Sequence, residues 1–211
     1  MAFLNIVSLP KHLDELRLRM QSQFLDLLAL SETRLDDTLT DSDLSIEGYE
    51  IIRRDRNRGS GGVAMYIRNS IDYKIRTDLT DHDLEFLCVE IRITGVKSFL
   101  LSNWYTPPNT SIEPFEKFEN LLGKIEEKNM ESNIIGDLNC DMLASTPNNE
   151  TRHLNELCES YQYTQLINEP TRITPNSKSL IDIFLTNEPD KFALSGVSHI
   201  GVSDHSLIYF A

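Results

Sequence analysis

A chain of 211 residues has room for one domain with a sizeable core, and 40% hydrophobic against 25% charged residues is the balance of a soluble protein. No apolar stretch approaches the roughly 18 residues that a membrane span requires, so a membrane partner is not expected. A net charge of −13 argues against a sequence-independent DNA coat, and leaves two sources of acidity open: a solvated acidic face, or carboxylates gathered to hold metal.

In chain order, residues 2–8 predict a short strand. The start "MAFLNIVSLPKH" has neither the basic flank nor the apolar length of a secretion signal. Pro10 suits a first helical residue, and Leu13, Leu16, Met20 and Phe24 recur at helical spacing. "LDLLALSET" then reads as a buried strand ending in Ser31 and Glu32, and "YEIIRR", "GGVAMYIRN", "LEFLCVEIRI" and "SFLLSNWY" as further strands set apart by Gly and Asn/Asp-rich pieces. A helix is expected over residues 111–128, with Ile112, Phe115, Phe118, Leu122 and Ile125 on one face. The strand "SNIIGDLN", a helix over 150–160, and the late strands "SLIDIFLTN" and "SLIYFA" follow. No internal repeat or linker interrupts this order, so a single domain over residues 1–211 is expected, with two packed sheets flanked by helices. Cys88, Cys140 and Cys158 are odd in number and lack CxxC spacing. That speaks against a disulfide framework or a structural zinc site and for a reducing compartment, nuclear or cytoplasmic.

Several of these strands run apolar and stop at a polar group. "LDLLALSE" stops at Glu32, "FLLSNWY" at Tyr105 and "SNIIGDLN" at Asp137 and Asn139, while "GVSDHS" sets Asp204 and His205 just before the last strand. One such ending has an ordinary cause, because Asp and Asn start turns. Carboxylates, an amide, a phenol and an imidazole at several strand ends instead suggest a cleft fed from distant segments. Hard oxygen groups such as Glu32 and Asp204 suit Mg²⁺ or Mn²⁺, and an imidazole backed by a carboxylate stays protonated near neutral pH. Phosphodiester hydrolysis needs that combination: a metal, a positioned water and a cationic donor.

The segments "SETRL", "WYTPP", "GDLNCD", "SLIDIFLTN" and "SDHSL" occur here in an order that resembles the exonuclease–endonuclease–phosphatase superfamily. The variant is similar to the endonuclease domain of LINE-type (non-LTR) retrotransposon endonuclease–reverse transcriptases. "LNIVSLPKHLDELR" looks like that family's opening strand and helix, and "RRDRNRGSGGVAMYIRN" like its glycine-bounded strand. The resemblance covers nearly the whole chain. It implies a four-layer α/β sandwich of the DNase I-like type and a Mg²⁺-dependent endonuclease, with Mn²⁺ as a substitute, that nicks DNA and leaves a 3′-hydroxyl to prime reverse transcription. Carried over residue by residue, it puts Asn5 and Glu32 at the metal, with Asp204 completing that site or supporting it. Tyr105 would contact the scissile phosphate, and Asp137 would orient or deprotonate the attacking water. Asn139 would hold the phosphate or Asp137, and Asp182 would buttress His205, which stabilises the pentacoordinate phosphorus. His12, His82, His153 and His199 lack such motifs and read as surface or structural residues.

Two departures from the family pattern stand out. Val7 occupies the position, two residues after Asn5, where abasic-site endonucleases of the superfamily carry an acid. No reverse transcriptase motif of the "YxDD" kind follows "SLIYFA", so the chain is expected to be a domain or fragment of a longer product that carries the reverse transcriptase. DNA contact in an acidic protein needs a local basic patch. Arg53, Arg54, Arg56 and Arg58, beside Gly59, Gly61 and Gly62, form either a solvated charge run or a phosphate clamp built on Arg54, Arg56 and Arg58. Two other functions are weaker: a phosphoesterase on lipid or inositol phosphates, and a silent or domesticated copy acting as a binding module. The "PTRIT" and "SLIDIFLTN" segments speak against the first. A silent copy should have lost acids, and the expected set is complete.

Overall fold

The computed structural model describes residues 1–22 and 25–211. Phe24, expected on the first helix, lies outside the described residues. Strand β1 is Ala2–Asn5, helix α1 Leu9–Ser22, β2 Leu27–Ser31, β3 Tyr49–Arg54, β4 Val63–Arg68, β5 Asp72–Ile75, β6 Glu85–Arg92 and β7 Phe99–Tyr105. Then come α2 Glu113–Glu126, β8 Ser132–Asp137, α3 Asn149–Ser160, β9 Thr164–Gln165, the pair β10 Arg172–Ile173 and β11 Lys178–Ser179, β12 Asp182–Thr186, β13 Ser195–Ser198 and β14 Leu207–Phe210. Among the described residues two six-stranded sheets form, in the orders β13-β14-β1-β2-β4-β3 and β5-β6-β7-β8-β12-β9, while β10 and β11 make a separate hairpin.

Side-chain alternation builds the layers. Successive residues of a strand face opposite sides, and Leu27 and Ala29 of β2 enter the core between the sheets while Leu28 and Leu30 pack outward. In the second sheet Phe99, Leu101 and Ile135 face inward, and Leu100, Trp104 and Ile134 face outward. Leu9, Leu13, Leu16 and Met20 of α1 recur at three and four residues and cover the first sheet's outer face. Helices α2 and α3 cover the second sheet through Phe115, Phe118, Leu122, Ile125, Leu154 and Leu157. The result is helix, sheet, sheet, helix: the DNase I-like α/β sandwich. Ring stacking of Phe184 on Phe210, with centroids 3.8 Å apart, joins the two sheets, and the buried Asn103 amide donates across to the carbonyls of Leu30 (2.9 Å) and Ala64 (3.1 Å).

Register then decides where the strands end. β1 and β2 run parallel with Asn5 opposite Ser31, and β7 and β8 run parallel with Tyr105 opposite Asp137. β12 lies antiparallel to β8 and begins with Asp182 opposite Asp137, and β14 lies antiparallel to β1 and begins just past His205. C-terminal ends of parallel strands and N-terminal ends of their antiparallel neighbours therefore meet at one edge. By the same alternation, Asn5 follows Phe3, Tyr105 follows Leu101, and Asp137 follows Ile135 on the inward face.

Some expectations shift. The strand expected from residue 2 to 8 ends at Asn5, because Val7 and Ser8 leave extended geometry at φ 55° and 158°. Pro10 is the second residue of α1, still within the turn whose N–H groups have no helical acceptor. "SLIDIFLTN" is not one strand. Lys178 and Ser179 pair in the hairpin, and the carbonyls of Leu180 and Ile181 accept from Met142 (2.9 Å) and Leu138 (3.1 Å) instead of entering a ladder. The small strands β5, β9, β10, β11 and β13 were not anticipated. They are short and polar or half-exposed, so hydrophobic alternation does not mark them.

Candidate active site

The Asn5 side chain stands at the centre of the converging strand ends and is fully buried. Its Nδ2 donates to Asp137 Oδ2 at 2.8 Å and to Glu32 Oε1 at 3.2 Å, while its Oδ1 accepts the Val7 N–H at 3.1 Å. Two carboxylates on one side require the NH₂ end there, so the amide orientation follows from its partners. Asn5 thus joins two acids that are far apart in sequence.

Glu32 follows β2 with left-handed backbone, φ 49°. Its Oε2 accepts from Arg34 Nη2 at 2.8 Å, and its Oε1 accepts from Asn5 and from the Tyr105 hydroxyl at 3.3 Å. Burial by itself would raise its pKa, but bonds from Arg34, Asn5 and Tyr105 outweigh that and hold the carboxyl below its usual range. Glu32 is therefore ionised. Burial, joined by the charges of Glu32 and Asp137, pushes the Tyr105 phenol far up, so it remains a donor.

Asp137 is buried and accepts from Asn5 and from the Asn139 N–H, the latter at 2.9 Å on Oδ1. Burial and the nearby charge of Asp182 push its pKa up. The strand stops at Asp137, and Asn139 adopts φ 50° in the turn that follows. Asn139 therefore leaves the strand face on which the alternation of "IIGDLN" would set it beside Asp137. Its backbone holds Asp137 and its Nδ2 donates to the Thr106 carbonyl at 2.8 Å.

His205 Nδ1 lies 2.9 and 3.0 Å from the two oxygens of Asp182 and 3.9 Å from Asp137 Oδ2. Burial works against the imidazolium. The Asp182 carboxylate, with help from Asp137 and Asp204, outweighs it and lifts the pKa to about 9. The imidazole is cationic at neutral pH. A carboxylate at 0% exposure, as Asp182 is, is costly without such a partner. The Thr171 hydroxyl also accepts the backbone N–H groups of Asp182 (3.1 Å) and Ile181 (3.3 Å), which fixes where β12 begins.

Asp204 points elsewhere. Its Oδ2 pairs with Arg172 Nε at 2.8 Å on the hairpin, and that bond outweighs burial to keep its pKa low. Asn5, Glu32, Tyr105, Asp137, Asp182 and His205 form one linked group, whereas Asp204 borders it through Arg172. Within that group, Glu32 with its hard, ionised oxygens and resident cationic partner fits a divalent ion. Asn5 could act as a ligand only by turning its amide over and giving up both carboxylates. Asp137, Asp182 and His205 also bring ligand-type atoms within 4.8 Å of one another. The proton on His205 already offsets the Asp182 carboxylate it faces, so this trio is better described as an acid–imidazolium cluster.

The arginine run is turned largely onto the protein. Arg53 pairs with Asp41 and Asp55, Arg54 donates to the carbonyls of Asp81 and His82, and Arg56 pairs with Glu85 at 3.0 Å. Arg58 is exposed. Arg54 and Arg56 nonetheless border a surface depression shared with Pro107, Thr110 and Ser111. Sequence reading passed over Arg34, Arg172 and Thr171. Arg34 had a signal, standing two residues after Glu32 in "SETRL", but Arg172 meets Asp204 only through folding, 32 residues on.

A sequence profile described as the Endonuclease/Exonuclease/phosphatase family matches residues 3–205. No curated protein matches the chain in sequence. Among solved structures, the endonuclease domain of TRAS1, a telomere-specific non-LTR retrotransposon, superposes with a TM-score of 0.78 at 17% identity, covering 99% of this chain and 95% of that one. An AP endonuclease from Archaeoglobus fulgidus gives 0.72 at 15% identity, with 100% and 97% covered. The 3′ phosphatase NExo from Neisseria, bound to product DNA hairpin, gives 0.69 at 14% identity, again with 100% and 97% covered. With the profile spanning nearly the whole chain, and the converging strand ends behind it, this protein belongs to the endonuclease/exonuclease/phosphatase family.

Proposed function

We infer that this chain is a divalent-metal-dependent DNA endonuclease that nicks one strand and leaves a 3′-hydroxyl, as target-primed reverse transcription requires. One observation carries the reading: the ionised Glu32, the buried Asp137 and the Asp182–His205 pair are joined through Asn5 and Tyr105 at a single inter-sheet edge. A silent copy would have no need to keep so many buried charges in register. The similarity to a retrotransposon endonuclease domain supports the DNA substrate and a longer product bearing a reverse transcriptase.

Glu32 would hold Mg²⁺ or Mn²⁺, and Asp204 could join in only once released from Arg172. When bound, that ion neutralises charge on the phosphate and the leaving alkoxide. Asp137, its pKa raised by burial, can take a proton from water, and Asn5 and the Asn139 N–H hold its carboxylate in place. His205 commits Nδ1 to Asp182, so Nε2 is the nitrogen left to donate to a phosphate oxygen. Tyr105 keeps its proton and donates at the same edge.

Supercoiled plasmid incubated with the protein should be converted to the nicked form with Mg²⁺ and not with EDTA. Glu32→Ala should lose nicking, with partial recovery at high Mg²⁺ or Mn²⁺. Nicking that survives EDTA would overturn the metal requirement.

The arginine run supplies a second measurement. If Arg54 and Arg56 contact phosphates, replacing both with Ala should weaken DNA binding and flatten its salt dependence by about one unit of slope per lost contact, with little change in turnover of bound DNA. An unchanged slope would leave them as anchors for the 81–82 loop and Glu85.

A further inference from the structure

The carboxylate read above as the metal holder is already engaged by a cation of the chain. Arg34 Nη2 lies 2.8 Å from Glu32 Oε2, in a single contact and not the two-pronged fork that makes arginine–carboxylate pairs strongest. The Arg34 backbone is fixed: φ is 54°, and its N–H donates to the Gly61 carbonyl at 2.9 Å. Any movement must come from the side chain, which is 28% exposed. Its Nε is buried and bonded to nothing among the described residues. A buried N–H without an acceptor is unfavourable, so the guanidinium is held in place by Glu32 while one of its donors has no acceptor.

A divalent ion on Glu32 would compete with that guanidinium for the same oxygens. Two cations at one carboxylate repel, and the less tightly held one leaves. We propose, resting on the reading of Glu32 as the metal-holding carboxylate, that Arg34 is its resident counter-cation, that metal binding displaces the guanidinium, and that the freed group then binds substrate phosphate. Metal and DNA are thereby linked, because each draws one partner out of the Glu32–Arg34 pair. Linkage of this kind is reciprocal and amounts to roughly 5- to 150-fold in affinity.

The test has three measurements. Mn²⁺ binding to the DNA-free protein, followed by electron paramagnetic resonance, should be on the order of tenfold tighter in Arg34→Gln than in wild type. The Arg34 ¹⁵Nε resonance, identified by its absence from Arg34→Gln, should move on saturation with diamagnetic Mg²⁺. Duplex DNA affinity, measured in a His205→Ala background to suppress cleavage, should fall on Arg34→Gln when Mg²⁺ is present and hold steady in EDTA. Mn²⁺ binding no tighter in Arg34→Gln, a stationary Nε resonance, or equal loss of DNA affinity with and without Mg²⁺ would each overturn the proposal. Glu32→Gln separates this from the underlying reading: it should lose Mn²⁺ affinity whatever stands at position 34. Wild-type Mn²⁺ affinity in Glu32→Gln would remove the metal assignment itself.

Discussion

His205→Ala should lower kcat for plasmid nicking on the order of 10² to 10⁴ while leaving Mn²⁺ affinity near wild type. Negative charge on a phosphodiester grows toward the transition state, so a preorganised imidazolium helps most there. The cation is made by its surroundings: both Asp182 oxygens face Nδ1, and together with Asp137 they lift the pKa to about 9 against the effect of burial. Asp182→Asn should keep the fold and lose part of the same effect, because a neutral amide no longer favours the charged ring. Since the two residues act as a unit, the double variant should be scarcely worse than His205→Ala alone. Additive effects on log kcat would make Asp182 a structural acid, held at the start of β12 by Thr171 and nothing more.

Gly136→Ala should be the most damaging small substitution near the site, lowering stability by at least about 3 kcal/mol. At φ 155° this backbone is one that side chains rarely adopt, and an added Cβ would lie 1.8 Å from the Trp104 carbonyl oxygen. That oxygen belongs to β7, the parallel partner of β8, with Trp104 directly opposite Gly136. The clash is with backbone, so no rotamer relieves it. For a chain of this size the loss corresponds to a Tm lower by about 6–12 °C. Because Gly136 adjoins Asp137, any folded fraction should also nick poorly. Gly123→Ala in α2 is the control: its Cβ would meet only the Tyr161 hydroxyl, at 3.8 Å, and should stabilise the helix by about 0.5–1 kcal/mol. A Gly136→Ala protein that melts with wild type would show that β7 and β8 can separate without cost.

How far these residues could be read in advance depends on the range of the interaction that places them. Helix periodicity marks α1, α2 and α3, and apolar runs mark the central strands, because each pattern is local and reports a buried face. Motifs such as "GDLN" and "SDHS" announce Asp137 and His205 for the same reason: they interrupt strands with groups that a strand has no use for. The residues themselves, with the family resemblance, thus determined the layered fold class and pointed to most of the groups that the fold gathers into the candidate site. Which groups touch was decided elsewhere. Asn5 meets Asp137 across 132 residues, and Asp182 meets His205 across 23, because parallel and antiparallel registers bring strand ends to one edge. No local pattern encodes a register. The same limit hid the pairing of Asp204 with Arg172 and the broken course of residues 178–182, whose backbone partners lie in the 138–142 turn. It also hid the direction of the Asn5 amide, which is fixed only when Glu32 and Asp137 stand on the same side of it. Only the tertiary structure decides such charges and donors, because their energies depend on burial and on partners that the chain brings together by folding.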